Sequence, residues 1–287
     1  MVFLVYRAKR TSEYMALSLF AGVLILFLQS FLVSPAFIPN LYLRKLASGV
    51  FSAVRLGVPA LIFVHMQKTS FEAPLKIEKT QASSVKNNIL LSFAGFVFIF
   101  VFGLLYSAAF PSSAQTFEDK DILSALLTVF ASALVPAVFE ELLYRKLFCT
   151  ELTLHGSAFA TIISALLFGL AHYSFYTFPY AFICGMALAF VYLKTGSVKY
   201  TVAIHFANNF FGYICAFIST KMSPFDYLNA MTLLTVALCI AALGACYVIM
   251  PKIKAFAVCE NGNVASYAFL TFPMVVYIFC AVLMNFI

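Results

Sequence analysis

The 287 residues are 63% hydrophobic and only 10% charged, against roughly 25% charged in a soluble globular domain, which excludes a soluble enzyme and points to an integral membrane protein. A formal charge of +7 does not imply nucleic-acid binding, because Lys and Arg sit between apolar segments and never form a run interleaved with polar surface. The seven cysteines form no C-x-x-C pair and lie mostly within apolar segments, so they read as reduced packing residues, with no disulfide framework or thiolate metal site.

Crossing the hydrocarbon core takes about 20 apolar residues. Nine segments qualify, near 14–34, 46–66, 89–110, 122–149, 157–174, 177–193, 197–217, 227–250 and 264–287. The expected fold is all-α: a polytopic transmembrane helical bundle of about eight or nine membrane segments forming a single integral membrane domain, 1–287. Strands are not expected, because only helices and closed barrels satisfy the backbone in lipid and the alternation of a barrel is missing. Arg7, Lys9 and Arg10 precede the first segment in the manner of a secretory signal. That segment is longer than a signal's apolar region and lacks a small-x-small cleavage site, so it reads as an uncleaved first helix. The sixth segment is short and is expected to be a partial span.

Setting the N-terminus in the cytoplasm puts thirteen Lys and Arg inside, among them Arg7, Lys9, Arg10, Lys68, Lys146 and Lys194, and four outside, Arg44, Lys45, Lys120 and Lys221. This bias orients the bundle. The stretch from Gln67 to Asn88 is then the main cytoplasmic loop, and Pro111 to Asp121, with Glu118, Asp119 and Asp121, is external. Arg55 lies inside the second segment. No repeat, low-complexity tract or soluble domain interrupts the pattern, and short loops without targeting signals suggest a prokaryotic plasma membrane.

Charge inside lipid is costly, so the few polar residues of the later segments carry the functional information. Glu140-Glu141-Leu142-Leu143-Tyr144-Arg145 sits in a run whose preceding residues, Ile122 to Phe139, are uncharged. At helical spacing Glu141 faces Arg145 and reads as a structural ion pair. Glu140 turns about 100° away, toward Tyr144, and is expected to have no cation of its own. Pro136, one turn earlier, removes the helical hydrogen bond to the Ser132 carbonyl and is expected to kink the helix. His172 closes Phe168-Gly169-Leu170-Ala171-His172. His205 and Asn209 share a face, with Asn208 pointing elsewhere. Converging around Glu140, these groups supply what amide hydrolysis requires: a carboxylate to take a proton from water, a histidine to orient the water or relay the proton, and a histidine and an amide to meet the oxyanion. Each has a plainer reading too, a lone membrane histidine as a packing residue and Asn209 as a tie between helices. His65 and His155, near segment ends, take the plain reading.

Three motifs in order on three separate segments, E-E-x-x-x-R, F-x-x-x-H and H-x-x-x-N, resemble those of the CAAX prenyl protease and bacteriocin-processing family (CPBP, also called ABI) of intramembrane endopeptidases. Gly196-Ser197-Val198 ahead of the third motif is similar as well. The resemblance covers about 122–215, which would be the catalytic core. It implies that Glu140 with His172 activates water, that His205 with Asn209 forms an oxyanion hole, and that the substrate is a membrane-associated peptide or protein, prenylated CAAX tails being one class. No cofactor is expected. Zinc is conceivable with two histidines and a glutamate, but H-E-x-x-H is missing and asparagine is a poor zinc ligand. The rival readings are a non-catalytic scaffold or immunity-type member of the family, and a proton-coupled transporter. The latter is opposed by the lack of a repeated half.

Depth poses one constraint. At about 1.5 Å per residue, Glu140 and His205 lie roughly 12–14 Å from the cytoplasmic segment ends, whereas His172 lies near 24 Å. Either the fifth helix begins deep in the membrane, after a buried turn around His155-Gly156, or the segment ends lie elsewhere; the first is preferred, because irregular backbone is tolerated where it lines a protein cavity.

Overall fold

The computed structural model describes residues 2–72, 84–110, 119, 121–252 and 268–284, without the side chains of 2–4. Half of the expected cytoplasmic loop (73–83), most of the external one (111–118 and 120), and Cys259 lie outside the described residues. Among the described residues there is no strand, and nine helices fall on the nine apolar segments. They are α1 (Val2–Leu32), α2 (Leu41–Gln67), α3 (Val85–Ala109), α4 (Ile122–His155), α5 (Ser157–Leu170), α6 (Phe178–Thr195), α7 (Val198–Ser219), α8 (Pro224–Ile249) and α9 (Phe272–Leu283). Seven are long and apolar enough to cross a membrane; α5 and α9 are shorter. The chain is a multi-pass integral membrane protein.

The sequence reading of the short element is corrected by one place. The sixth helix has 18 residues, whereas α5 has 14. Tyr173 adopts a left-handed φ of 48°, a conformation unfavourable for a residue with a Cβ, and the aromatic and polar run after it leaves the helix. At its other end α5 starts from Gly156, whose φ of 103° favours glycine. Thr153, His155 and Ser157 on either side are buried, so the turn into α5 lies inside the protein; Glu140 and His172 come level because α4 runs on to His155 instead of ending at 149, which puts each about 22 Å from that turn at about 1.5 Å per residue.

Helix ends follow local chemistry. Asn40 caps α2 by accepting from the Leu43 N–H at 3.0 Å, and Asp121 caps α4 in a reciprocal box with Ser124. The tail of α4 outlasts its expected end at 149 because the polar residues there are paired. The buried Glu151 accepts from Gln67 Nε2 at 3.1 Å and Thr69 Oγ1 at 3.2 Å, and lies 3.6 Å from Arg7.

α4 is the hub, packing against α2, α5, α6 and α7. Its hydrogen-bond register is not uniform: π-helical turns cover Phe130–Leu134 and Glu141–Cys149, flanking Val135–Glu140. Pro136 offers no N–H, and the first π turn lets Val135 donate to the Phe130 carbonyl just before it. Such turns rotate the residues that follow and are frequent at functional sites. Lipid supplies little hydrophobic drive between helices, so close contact of small residues does that work. At Gly185 of α6 a Cβ would stand 3.1 Å from Ala165 Cα and Cβ of α5, so any larger residue requires the two helices to give by a few tenths of an ångström. Leu143, Leu147, Phe148, Phe168, Tyr192, Met274 and Tyr277 form part of the core around α4, while α3 and α8 turn apolar side chains such as Phe98, Leu105, Leu233 and Leu243 outward, as a lipid-facing surface demands.

Candidate active site

α4 carries Glu140 and Glu141 at the entrance to its second π turn, both buried. Glu141 Oε2 lies 3.2 Å from Arg145 Nε, with both side chains fully buried. Arg145 also donates from Nη2 to the Gly185 carbonyl at 3.4 Å, and its guanidinium lies over the Phe168 ring, 4.3 Å from the centroid. The close passage of α6 at Gly185 is what puts that carbonyl within reach.

α7 brings His205 between the two carboxylates. Nδ1 is 3.0 Å from Glu141 Oε1, and Nε2 is 3.8 Å from Glu140 Oε2. A carboxylate only accepts, so we assign the ring proton to Nδ1, which leaves a lone pair on Nε2 facing Glu140. Glu141 therefore does more than pair with Arg145: it also fixes the orientation and tautomer of a neighbouring imidazole, which its sequence position gave no reason to expect.

His172, on the turn that ends α5, follows the same logic. Its Nδ1 is 2.9 Å from the Phe168 carbonyl, another acceptor, so Nε2 is again the bare nitrogen. Glu140, His205 and Arg55 are the charged or titratable groups that act on it. Phe168 explains the spacing of its motif: its carbonyl holds His172, and its ring lies edge-on to both imidazoles, with centroids 5.0 Å from His172 and 5.8 Å from His205.

Asn209 lies one turn beyond His205 on α7 and donates from Nδ2 to the Ser132 carbonyl at 3.4 Å. Asn208 points to α6, donating to the Tyr180 hydroxyl at 3.0 Å. His65 is exposed and His155 packs edge-on against Phe159; neither touches the cluster.

The expectation that Glu140 has no cation of its own is overturned. Arg55 of α2 brings Nη2 to 4.0 Å from Glu140 Oε1. The sequence reading sought a partner on Glu140's own helix, and no periodicity argument connects α2 with α4.

Zinc requires about four donors at about 2.0–2.3 Å. Two imidazoles with bare Nε2 atoms and a carboxylate are suitable in chemistry, but among the described residues no three His, Cys, Asp or Glu side chains are grouped to hold one ion.

Fold and site together define a multi-pass helical membrane protein with a buried carboxylate–imidazole cluster drawn from α2, α4, α5 and α7. Within that class, residues 122–211 match the family described as Rce1-like, type II CAAX prenyl endopeptidase, in agreement with the resemblance that the three motifs carry. The matched stretch contains Glu140, Glu141, Arg145, His172, His205 and Asn209. No curated protein and no solved structure matches the chain.

Proposed function

We propose that the protein is an intramembrane endopeptidase that hydrolyses a peptide bond of a membrane-associated peptide or protein without a metal. The observation that carries this reading is the pairing of Glu140 with His205, two acceptors 3.8 Å apart in a buried site, with His172 alongside. That gap exceeds a direct hydrogen bond of about 3 Å and suits a water that donates to both. As the water oxygen attacks the carbonyl carbon, its proton passes to the Glu140–His205 pair. A protonated Nε2, backed by Glu141 on the other ring nitrogen, then becomes a donor to the oxyanion. Asn209, whose tie to Ser132 is weak at 3.4 Å, turns to the same oxygen. His172, whose bare Nε2 is a third acceptor, serves as a relay for that proton. Collapse of the tetrahedral intermediate breaks the C–N bond, and the stored proton goes to the leaving amine.

Prenylated CAAX tails are the first substrates to test, given the name of the matched family. The excess of basic residues on one side argues for a cytoplasmic N-terminus, in a prokaryotic plasma membrane. The deciding experiment compares membrane proteomes of cells carrying the wild type or Glu140→Gln, followed by reconstitution of the purified protein with whichever precursor accumulates and with a farnesylated CAAX peptide. Uncut precursors in the variant alone, cleaved by the wild type in liposomes, are the expected result. Identical proteomes and no cleavage in liposomes would end this reading.

A further inference from the structure

The three motifs leave the charge at Glu140 unexplained. Glu141 is held by Arg145 and by His205 Nδ1. Glu140 instead has its two oxygens divided between two other helices: Oε1 faces Arg55 of α2 at 4.0 Å and Oε2 faces His205 of α7 at 3.8 Å. Arg55 lies outside the stretch that matches the family.

Several features show that Arg55 is built into this place. A guanidinium in the middle of an apolar helix is costly unless it has a use. Its side chain is only 19% exposed, and its Nε is buried with no hydrogen-bond partner. Among the described residues, Glu140 is the carboxylate it meets. Pro59, one turn further on, leaves the Arg55 carbonyl without its helical donor, and α1 passes there at Gly22, where a Cβ would stand 3.2 Å from that carbonyl oxygen and 3.2 Å from the Pro59 ring. Its charge also acts on His172, Tyr144, Tyr173 and Tyr277, none of which is an anion in its ordinary state.

We propose that Arg55 is a positioning residue for the catalytic carboxylate: it anchors Glu140 Oε1 from α2, so that Oε2 is kept on the water shared with His205. This inference rests on the endopeptidase reading. Without the anchor the carboxylate is free to rotate about its last torsion, and a displacement of about 1 Å in a reacting group costs about 100-fold in rate.

The test uses full-length protein in liposomes with the substrate identified from the Glu140→Gln proteome. Arg55→Gln is expected to lower kcat by about 100-fold with KM unchanged, and Arg55→Lys, which keeps the charge, to recover a substantial part of that loss. Melting temperatures of both variants separate misfolding from the effect: a folded Arg55→Lys with restored kcat supports the role even where Arg55→Gln is unstable. Wild-type-like kcat in Arg55→Gln, a change confined to KM, or a loss that lysine does not reverse in a folded protein would overturn the inference alone. A wild type that cleaves nothing would overturn the endopeptidase reading, and this inference with it.

Discussion

Asn209 donates its side-chain N–H to the carbonyl of Ser132 at 3.4 Å, within the first π-helical turn of α4, Phe130–Leu134. A residue of α7 thus ties itself to the irregular stretch of its neighbour. Hydrogen bonds of this kind between membrane helices are worth about 0.6 kcal/mol on average, small enough for the amide to leave when a stronger acceptor arrives. Asn209→Ala is therefore expected to lower kcat by about 100-fold, as loss of an oxyanion donor does, while barely moving the melting temperature. A marked fall in melting temperature with cleavage retained would make Asn209 a structural tie only.

Arg145 and Glu141 test the opposite balance. Both side chains are fully buried, and removing one partner of such a pair strands the other charge, at a cost of about 3–5 kcal/mol. Arg145→Ala also takes away the cation over Phe168 and the donor to Gly185. Loss of expression or a clearly lower melting temperature in detergent is expected, whereas Glu140→Gln, which still offers Arg55 an oxygen, should lose less stability than Arg145→Ala and be inactive. An Arg145→Ala protein of unchanged stability would contradict the structural role.

Glu141→Gln probes the tautomer of His205. The glutamine oxygen stays toward the Arg145 guanidinium, which turns its NH2 toward Nδ1. The imidazole must then carry its proton on Nε2, and the lone pair facing Glu140 is lost. A carboxylate that fixes a catalytic imidazole is worth up to about 10⁴ in kcat in the serine-protease arrangement, so a loss of at least about 100-fold is expected here, with a folded protein. Near-normal cleavage by Glu141→Gln would show that the tautomer is not fixed from this side.

Chelation separates the metal-free route from its rival. Treatment with 1,10-phenanthroline is expected to leave cleavage intact, because the donors around Glu140 are not grouped for one ion. Loss of activity that zinc restores would reverse this reading.

Much of this was legible in the sequence because lipid punishes polar groups: Glu140, His172 and His205 stood out only because their surroundings are apolar. What was not legible depends on where neighbouring helices lie. Arg55 looked like one basic residue within a span, and its partner belongs to a helix far along the chain. The π turns of α4 are changes of hydrogen-bond register that an apolar run does not encode. The end of α4 was read too early because Thr150, Glu151 and Thr153 look like a loop until Gln67, Thr69 and Arg7 are seen to cover Glu151. Glu141 was understood as half a pair because only the contact along its own helix follows from spacing.

The opposite end of α4 carries a second carboxylate cluster, which gives a pH prediction outside the membrane spans. Asp119 meets Lys45 of α2, and accepts from Thr128 Oγ1 at 2.9 Å and from the Tyr213 hydroxyl of α7 at 3.0 Å. Burial works to raise its carboxyl, but the hydrogen bonds from Lys45, Thr128 and Tyr213 prevail and hold it below the ordinary 3.8. A carboxyl lowered on folding contributes stability that is fully present above its unfolded value and is lost as the pH falls through its folded value. Asp119→Asn should therefore melt below the wild type at neutral pH, and the gap should close as the pH drops below 3.8. Thermal melts of both proteins across that range check it; a gap that stays constant into acid would mean that the clasp between α2, α4 and α7 does not depend on the charge of Asp119.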